Sequence, residues 1–232
     1  MSPEFETSAV RLRRAALTHG LAGQAALAGE VVPRAKQFLL EAREIQLAAH
    51  RSGVPGGEVA KLRSDAVDIV IDALFLRAGP AAAELALVAT GGYGRAELCP
   101  LSDIDLLVLV PAHTPATQAL VESILYPLWD SGLKVGQSVR TVQECADYVK
   151  EDLHLRVALL ETRLLCGAPS LFNQIEAKVS EMLSGEAWRP LARSIVESQR
   201  KRREKAGGSA YLQEPDLKNG VGALRDVQGC VW

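Results

Sequence analysis

Asp103 and Asp105 stand one residue apart, shortly after Gly91-Gly92, in the run GGYGRAELCPLSDIDLLVLV. On an extended strand, side chains two residues apart point to the same face. The two carboxylates are therefore expected to project together, with Ile104 turned the other way into a core. Adjacent carboxylates repel unless a cation lies between them. A hard divalent ion such as Mg²⁺ takes oxygen ligands and keeps positions open for substrate phosphates. Asp103 and Asp105 are accordingly the candidate metal ligands and catalytic residues, and the chemistry they indicate is phosphoryl or nucleotidyl transfer. The competing reading of Asp-x-Asp is a solvated strand edge. The preceding glycines and the strongly apolar residues that follow argue against it.

Gly91 and Gly92 let a backbone approach a ligand with no Cβ in the way. Amides in such a turn suit phosphate oxygens, although a simple tight turn would use the same residues. Gly92-Tyr93-Gly94 also begins a dinucleotide fingerprint, but Glu97 stands where its third glycine belongs. The segment before the next strand is too short for a crossover helix, which excludes that motif. Arg95 and Arg140 are further candidates for phosphate contact, each with an ordinary surface charge as its alternative. Ser102 is a candidate for bonding in the metal loop, with a plain turn role beside it.

These residues need a scaffold, and hydrophobic periodicity supplies one. Strands are expected at residues 85–90, 104–110 and 133–140, with a short helical turn after the glycines and a helix at 116–129. Helices are expected before this centre at 33–52 and 57–76, the second stopped by Gly79 and Pro80. After it, helices are expected at 142–150, 153–165, 170–183 and 188–205. Thr141 and Glu144 form a capping-box pattern at the start of the first of these. A further apolar segment begins at Val227. The fold class is thus α+β: a small mixed β-sheet core over residues 81–142, flanked by an N-terminal helical region (1–80) and a C-terminal helical region (143–232).

Composition narrows the function classes. The 232 residues are 48% hydrophobic, which is enough for a sizeable core, and the net charge of −2 gives no general attraction to nucleic acid or membrane. The run Arg200-Lys201-Arg202-Arg203 has no interleaved aromatics and reads as a solvated helical face rather than a nucleic-acid patch. Cys99, Cys145, Cys166 and Cys230 are far apart, without a CxxC pair, as expected of buried thiols in a reducing cytoplasm. No apolar run reaches the length of a membrane span.

The spacing Gly91-Gly92, ten residues, Asp103-Ile104-Asp105 resembles the signature of the DNA polymerase beta-like nucleotidyltransferase superfamily. The longer blocks GGYGRAELCPLSDIDLL, LYPLWDSGLKVGQSVRT and EPDLKNGVGALRD resemble the bacterial PII uridylyltransferase/uridylyl-removing enzyme family, in its N-terminal nucleotidyltransferase part. That resemblance implies transfer of UMP from UTP to a tyrosine hydroxyl of the signalling protein PII, with Mg²⁺ on Asp103 and Asp105 and pyrophosphate as leaving group. It also implies that the charged, glycine-containing tail folds toward the site, which adds Lys218 and Asp226 to the nucleotide-binding candidates. Two departures from the family pattern stand out: Gln137 where His is frequent, and Ala223 where Gly is usual. The superfamily commonly has a third carboxylate on the strand at 133–140, and this chain has none there. The family further joins an HD-type hydrolase and two ACT domains to the transferase. None is present here, so the chain is expected to be a fragment without UMP removal or glutamine sensing. A different nucleotide or protein target, or a non-catalytic nucleotide-binding module, is the alternative.

Overall fold

The computed structural model describes residues 7–148, 152–211 and 213–232. Three helices come first: α1 (Ser8–Thr18), α2 (Val31–Arg51) and α3 (Gly56–Arg77). Helix α1 precedes those expected from periodicity; the Thr7 hydroxyl accepts from the Val10 amide at 3.4 Å and caps it. Helix α2 buries Val31, Ala35, Phe38, Ala42, Ile45 and Ala49, an unbroken four-three spacing that lays one narrow stripe against its neighbours. Helix α3 has a much wider buried face, from Ala60 to Leu74, because α1, α2, the sheet and a later helix all pack on it.

The sheet has the order β3-β2-β1-β4. Its strands are β1 (Ala86–Thr90), β2 (Ile104–Leu109), β3 (Val135–Arg140) and β4 (Thr162–Gly167). Strand β1 runs antiparallel to β2 and β4, whereas β2 and β3 are parallel. The parallel pair requires a crossover, which α5 (Pro115–Asp130) provides. One hydrophobic core joins Leu12, Phe38 and Val70 of the helices to Leu87, Ile104, Leu106 and Val108 of the sheet, and to Ile124 and Leu128 of α5. The α+β class and the small mixed sheet are as the sequence indicates.

One expected element fails, and of the four cysteines expected to be buried, Cys99 and Cys230 are exposed. Residues 153–165 do not form a single helix: α7 (Leu153–Leu160) ends before Glu161, and β4 begins at Thr162. A run of leucines and valines carries no period that separates a buried helix from a buried strand. The free edge of β1 decides the outcome by recruiting 162–167 as a fourth strand. Gly167 closes that strand at φ +96°, where an added Cβ would stand 1.9 Å from the Leu85 carbonyl oxygen.

The chain divides into two compact units, residues 1–145 with 161–174, and residues 146–160 with 175–232. The first holds the sheet and α1–α5, together with the short helix α4 (Gly91–Gly94). Helix α6 (Val142–Tyr148) starts with the expected capping box: the Glu144 amide donates to Thr141 Oγ1 at 3.1 Å and the Thr141 amide to Glu144 Oε2 at 2.7 Å. The expected continuation of this helix to residue 150 lies outside the described residues. Helix α8 (Pro169–Leu183) is shared by both divisions, and α9 (Trp188–Lys205) and α10 (Leu224–Val231) belong to the second unit.

In the second unit the basic run meets a buried acid. Asp226 is 6% exposed and accepts from Arg202, from Arg203 Nε at 2.9 Å, and from the Gly222 amide at 2.9 Å. Burial opposes its ionisation, but the Gly222 amide and the two guanidinium groups outweigh it and hold the carboxyl below its usual range. A carboxyl depressed in the folded state contributes stability that is present above its unfolded pKa and lost as pH falls through the folded value. We therefore expect the second unit to lose stability in acid, below about pH 4. Asp226→Asn should flatten that acid limb in a denaturation series from pH 7 to pH 2.5. An identical acid limb in the variant would show that other carboxyls set it.

Candidate active site

Strand β1 ends at Thr90, and Gly91 turns the chain at φ +58°, a left-handed conformation that favours glycine. The Arg95 amide then donates to Gly91 O at 3.0 Å and the Glu97 amide to Gly92 O at 2.8 Å, which closes the single turn α4. An added Cβ on Gly94 would lie 1.9 Å from the Glu161 carbonyl oxygen and 3.1 Å from that of Ala89. This third glycine is therefore required by backbone packing rather than by a ligand.

Asp103 immediately precedes strand β2 and Asp105 lies within it. Ile104 is 1% exposed, whereas Asp103 and Asp105 on either side of it are exposed. The Asp105 carboxylate lies between two glycines. A Cβ on Gly91 would come 3.7 Å from its Oδ2, and one on Gly136 of β3 would come 3.4 Å from its Oδ1. Both flanks of the carboxylate are thus left without side-chain cover, on the side where the glycine turn sits.

Strand register shows which residues of β3 face Asp105. Asp105 pairs with Gly136, Leu106 with Gln137 and Leu107 with Ser138. Gly136 and Ser138 therefore share the face of Asp105, while Gln137 turns to the α5 side. There it lines a cavity of about 500 Å³ with Gln118, Tyr126, Trp129 and Val139. None of the candidate residues lines that cavity. Among the described residues, no three His, Cys, Asp or Glu side chains are grouped to hold a metal. Two exposed carboxylates alone do not make an all-protein cage. They do suit Mg²⁺, which binds through one or two carboxylates and fills its remaining positions with water and substrate phosphates.

Of the remaining candidates, three lie in the first unit and two in the second. Arg95 is committed to two acids, with Nε 2.7 Å from Glu97 Oε2 and Nη1 on the Glu161 carboxylate. Ser102 presents its carbonyl to Arg63 Nη2 at 3.2 Å. Arg140 lies four residues along β3 from Gly136, about 13 Å at strand spacing, and its Nε donates to Ser138 Oγ at 2.8 Å. Lys218 and Asp226 belong to the second unit, where Asp226 holds the two arginines. Ala223 sits at φ −79°, an ordinary conformation for an L-residue, so it fits without backbone strain. Gly220 and Gly222 are both constrained in that segment: a Cβ on Gly220 would stand 2.6 Å from Asp216 O, and Gly222 holds φ +74°.

A buttress behind the glycine turn was not anticipated. Tyr93 is 1% exposed and its hydroxyl donates to Asp68 Oδ1 of α3 at 2.6 Å. Arg163 of β4 binds both Asp68 oxygens, at 2.7 and 3.1 Å, and stacks over the Tyr93 ring at 5.3 Å. Burial and the Asp68 charge push the Tyr93 phenol well above its usual range, which keeps it a neutral donor. The signal in sequence was Asp68 among the apolar positions of α3, where a charge needs a partner.

A nucleotidyltransferase-domain family model matches residues 77–165, which span β1–β3, most of β4 and the acid pair. The chain thus contains a nucleotidyltransferase domain. A second family model, GlnD PII-uridylyltransferase, matches residues 191–232. The chain is 43% identical to a bifunctional uridylyltransferase/uridylyl-removing enzyme of Azospirillum brasilense over 168 residues, 71% of this chain and 18% of that protein. With the protein of the same name from Caulobacter vibrioides (strain NA1000 / CB15N), identity is 35% over 232 residues, 96% of this chain and 25% of the relative. With that of Burkholderia lata it is 42% over 151 residues, 65% of this chain and 17% of the relative. Within the nucleotidyltransferase class, the chain is a relative of the bifunctional uridylyltransferase/uridylyl-removing enzymes, and it spans a quarter or less of their length. No helix among the described residues is long and apolar enough to cross a membrane.

Proposed function

We propose that this chain transfers UMP from UTP to a tyrosine hydroxyl of the PII signalling protein, with Mg²⁺ as cofactor and in the cytoplasm. The observation that carries this reading is the exposed pair Asp103 and Asp105 around buried Ile104, with the Asp105 carboxylate beside Gly91. The names of the relatives support uridylyl transfer, and the GlnD PII-uridylyltransferase match supports the PII target.

Asp103 and Asp105 would hold Mg²⁺. When bound, that ion neutralises triphosphate charge and the charge that builds at the α-phosphorus. The Gly91–Gly92 segment would let the backbone approach the β- and γ-phosphates, since neither residue has a side chain to keep them away. The tyrosine oxygen attacks the α-phosphorus, the bond to the β-phosphate oxygen breaks, pyrophosphate leaves and the phenol proton passes to solvent. No covalent intermediate on the chain is required; its contribution is position and electrostatics.

Incubation of the chain with PII, Mg²⁺ and each labelled nucleotide in turn tests this. Label from α-labelled UTP should appear on PII, and chelation of the metal should prevent it. Label from another nucleotide in preference to UTP would redirect the assignment. A binding-only module is the second reading, favoured by Gly136 and Ser138 standing where a third acid would face Asp105. Nucleotide binding by calorimetry with no transfer to PII would establish that reading instead.

A further inference from the structure

The loop between the glycine turn and β2 is held from one side by α3. Ala96 (φ +58°) and Leu101 (φ +70°) both occupy the left-handed region, which side chains other than glycine rarely adopt. Such conformations persist only where surrounding contacts enforce them. Two contacts do so here. The Leu98 amide donates to the fully buried Ser64 hydroxyl at 3.2 Å, and Ser64 Oγ donates in turn to Ala60 O at 3.3 Å. One residue before Ser64, Arg63 Nη2 donates to the Ser102 carbonyl at 3.2 Å. That carbonyl belongs to the peptide linking Ser102 to Asp103. Arg63 Nε is buried and has no hydrogen-bond partner among the described residues, so the guanidinium is kept there at a desolvation cost.

We propose that Arg63 is a positioning residue for metal binding: by gripping the Ser102 carbonyl it fixes the Ser102–Asp103 peptide, and with it the aim of Asp103 relative to Asp105. The proposal rests on the reading of these acids as metal ligands. Arg63 touches neither ion nor nucleotide; it acts through the peptide that carries the ligand. Partners that orient a metal ligand typically change affinity about 10- to 100-fold when removed. Leu101 supplies a second handle, because it is 87% exposed and glycine would relax its backbone without opening the core.

Mn²⁺ binding to the full chain, measured by electron paramagnetic resonance beside a thermal melt of each variant, provides the test. Arg63→Met should melt cooperatively and bind Mn²⁺ about tenfold more weakly than wild type. Arg63→Lys, which keeps the charge and one donor, should recover part of that loss. Leu101→Gly should weaken binding in the same direction with no loss of thermal stability, and it decides the matter if Arg63→Met does not fold. Wild-type Mn²⁺ affinity in folded Arg63→Met, or in Leu101→Gly should that be the deciding variant, would overturn the positioning role alone. Absence of any Asp103→Asn-sensitive Mn²⁺ binding in wild type would instead overturn the metal reading, and the positioning role with it.

Discussion

Asp105→Asn should reduce nucleotidyl transfer on the order of a thousandfold or more while leaving the fold intact. The size follows from the role: loss of a charged metal ligand removes stabilisation of charge that develops during displacement, where a single lost donor already costs 10²–10³. The fold should survive because the Asp105 side chain is exposed, with glycines on both sides where any other residue would place a Cβ. Strand pairing of β2 with β1 and β3 uses the backbone and the buried residues Ile104, Leu106 and Val108. Initial rates over a range of Mg²⁺ concentrations, with circular dichroism melts of the same samples, check this. Transfer within a few-fold of wild type in the folded variant would remove Asp105 from the chemistry.

Gly94→Ala should have the opposite signature, a large loss of stability. Its Cβ would fall 1.9 Å from the Glu161 carbonyl oxygen and 2.8 Å from the carbonyl carbon, both backbone atoms that a rotamer change cannot move aside. Overpacking of this kind costs about 3 kcal/mol or more, and in a chain of this size that lowers the melting temperature by roughly 6–12 °C. The neighbouring glycine makes the control. A Cβ on Gly92 would meet only ordinary contacts, 3.7 Å from Glu97 O and 3.8 Å from Arg95 Nη2. Gly92→Ala should therefore melt near wild type, and any defect should show in nucleotide binding. Equal melting temperatures for the two variants would contradict the packing assigned to α4.

The glycine turn, the exposed acid pair and the capping box were legible in the sequence because their signals are local. Glycines after an apolar strand, acids two residues apart around Ile104, and a capping box at Thr141 each depend on neighbours in the chain. The elements that failed to show depend on distant partners. Strand β4 is a strand because β1 offers it an edge, and nothing within 153–167 announces that. Asp68, Arg163 and Tyr93 meet from three elements separated by up to 95 residues. Arg63 and Ser64 appear in sequence as helix positions, and only the fold brings them to the loop before Asp103. Gln137 was legible as a departure from the family pattern, but strand register alone reveals that it faces away from Asp105.

Anomalous diffraction from crystals of the chain grown with Mn²⁺ and a non-hydrolysable UTP analogue tests the central claim most directly. An Mn²⁺ peak is expected at the carboxylates of Asp103 and Asp105, with the triphosphate against Gly91–Gly92. An ion bound elsewhere, or a nucleotide seated away from these residues while the two acids contact only water, would contradict it.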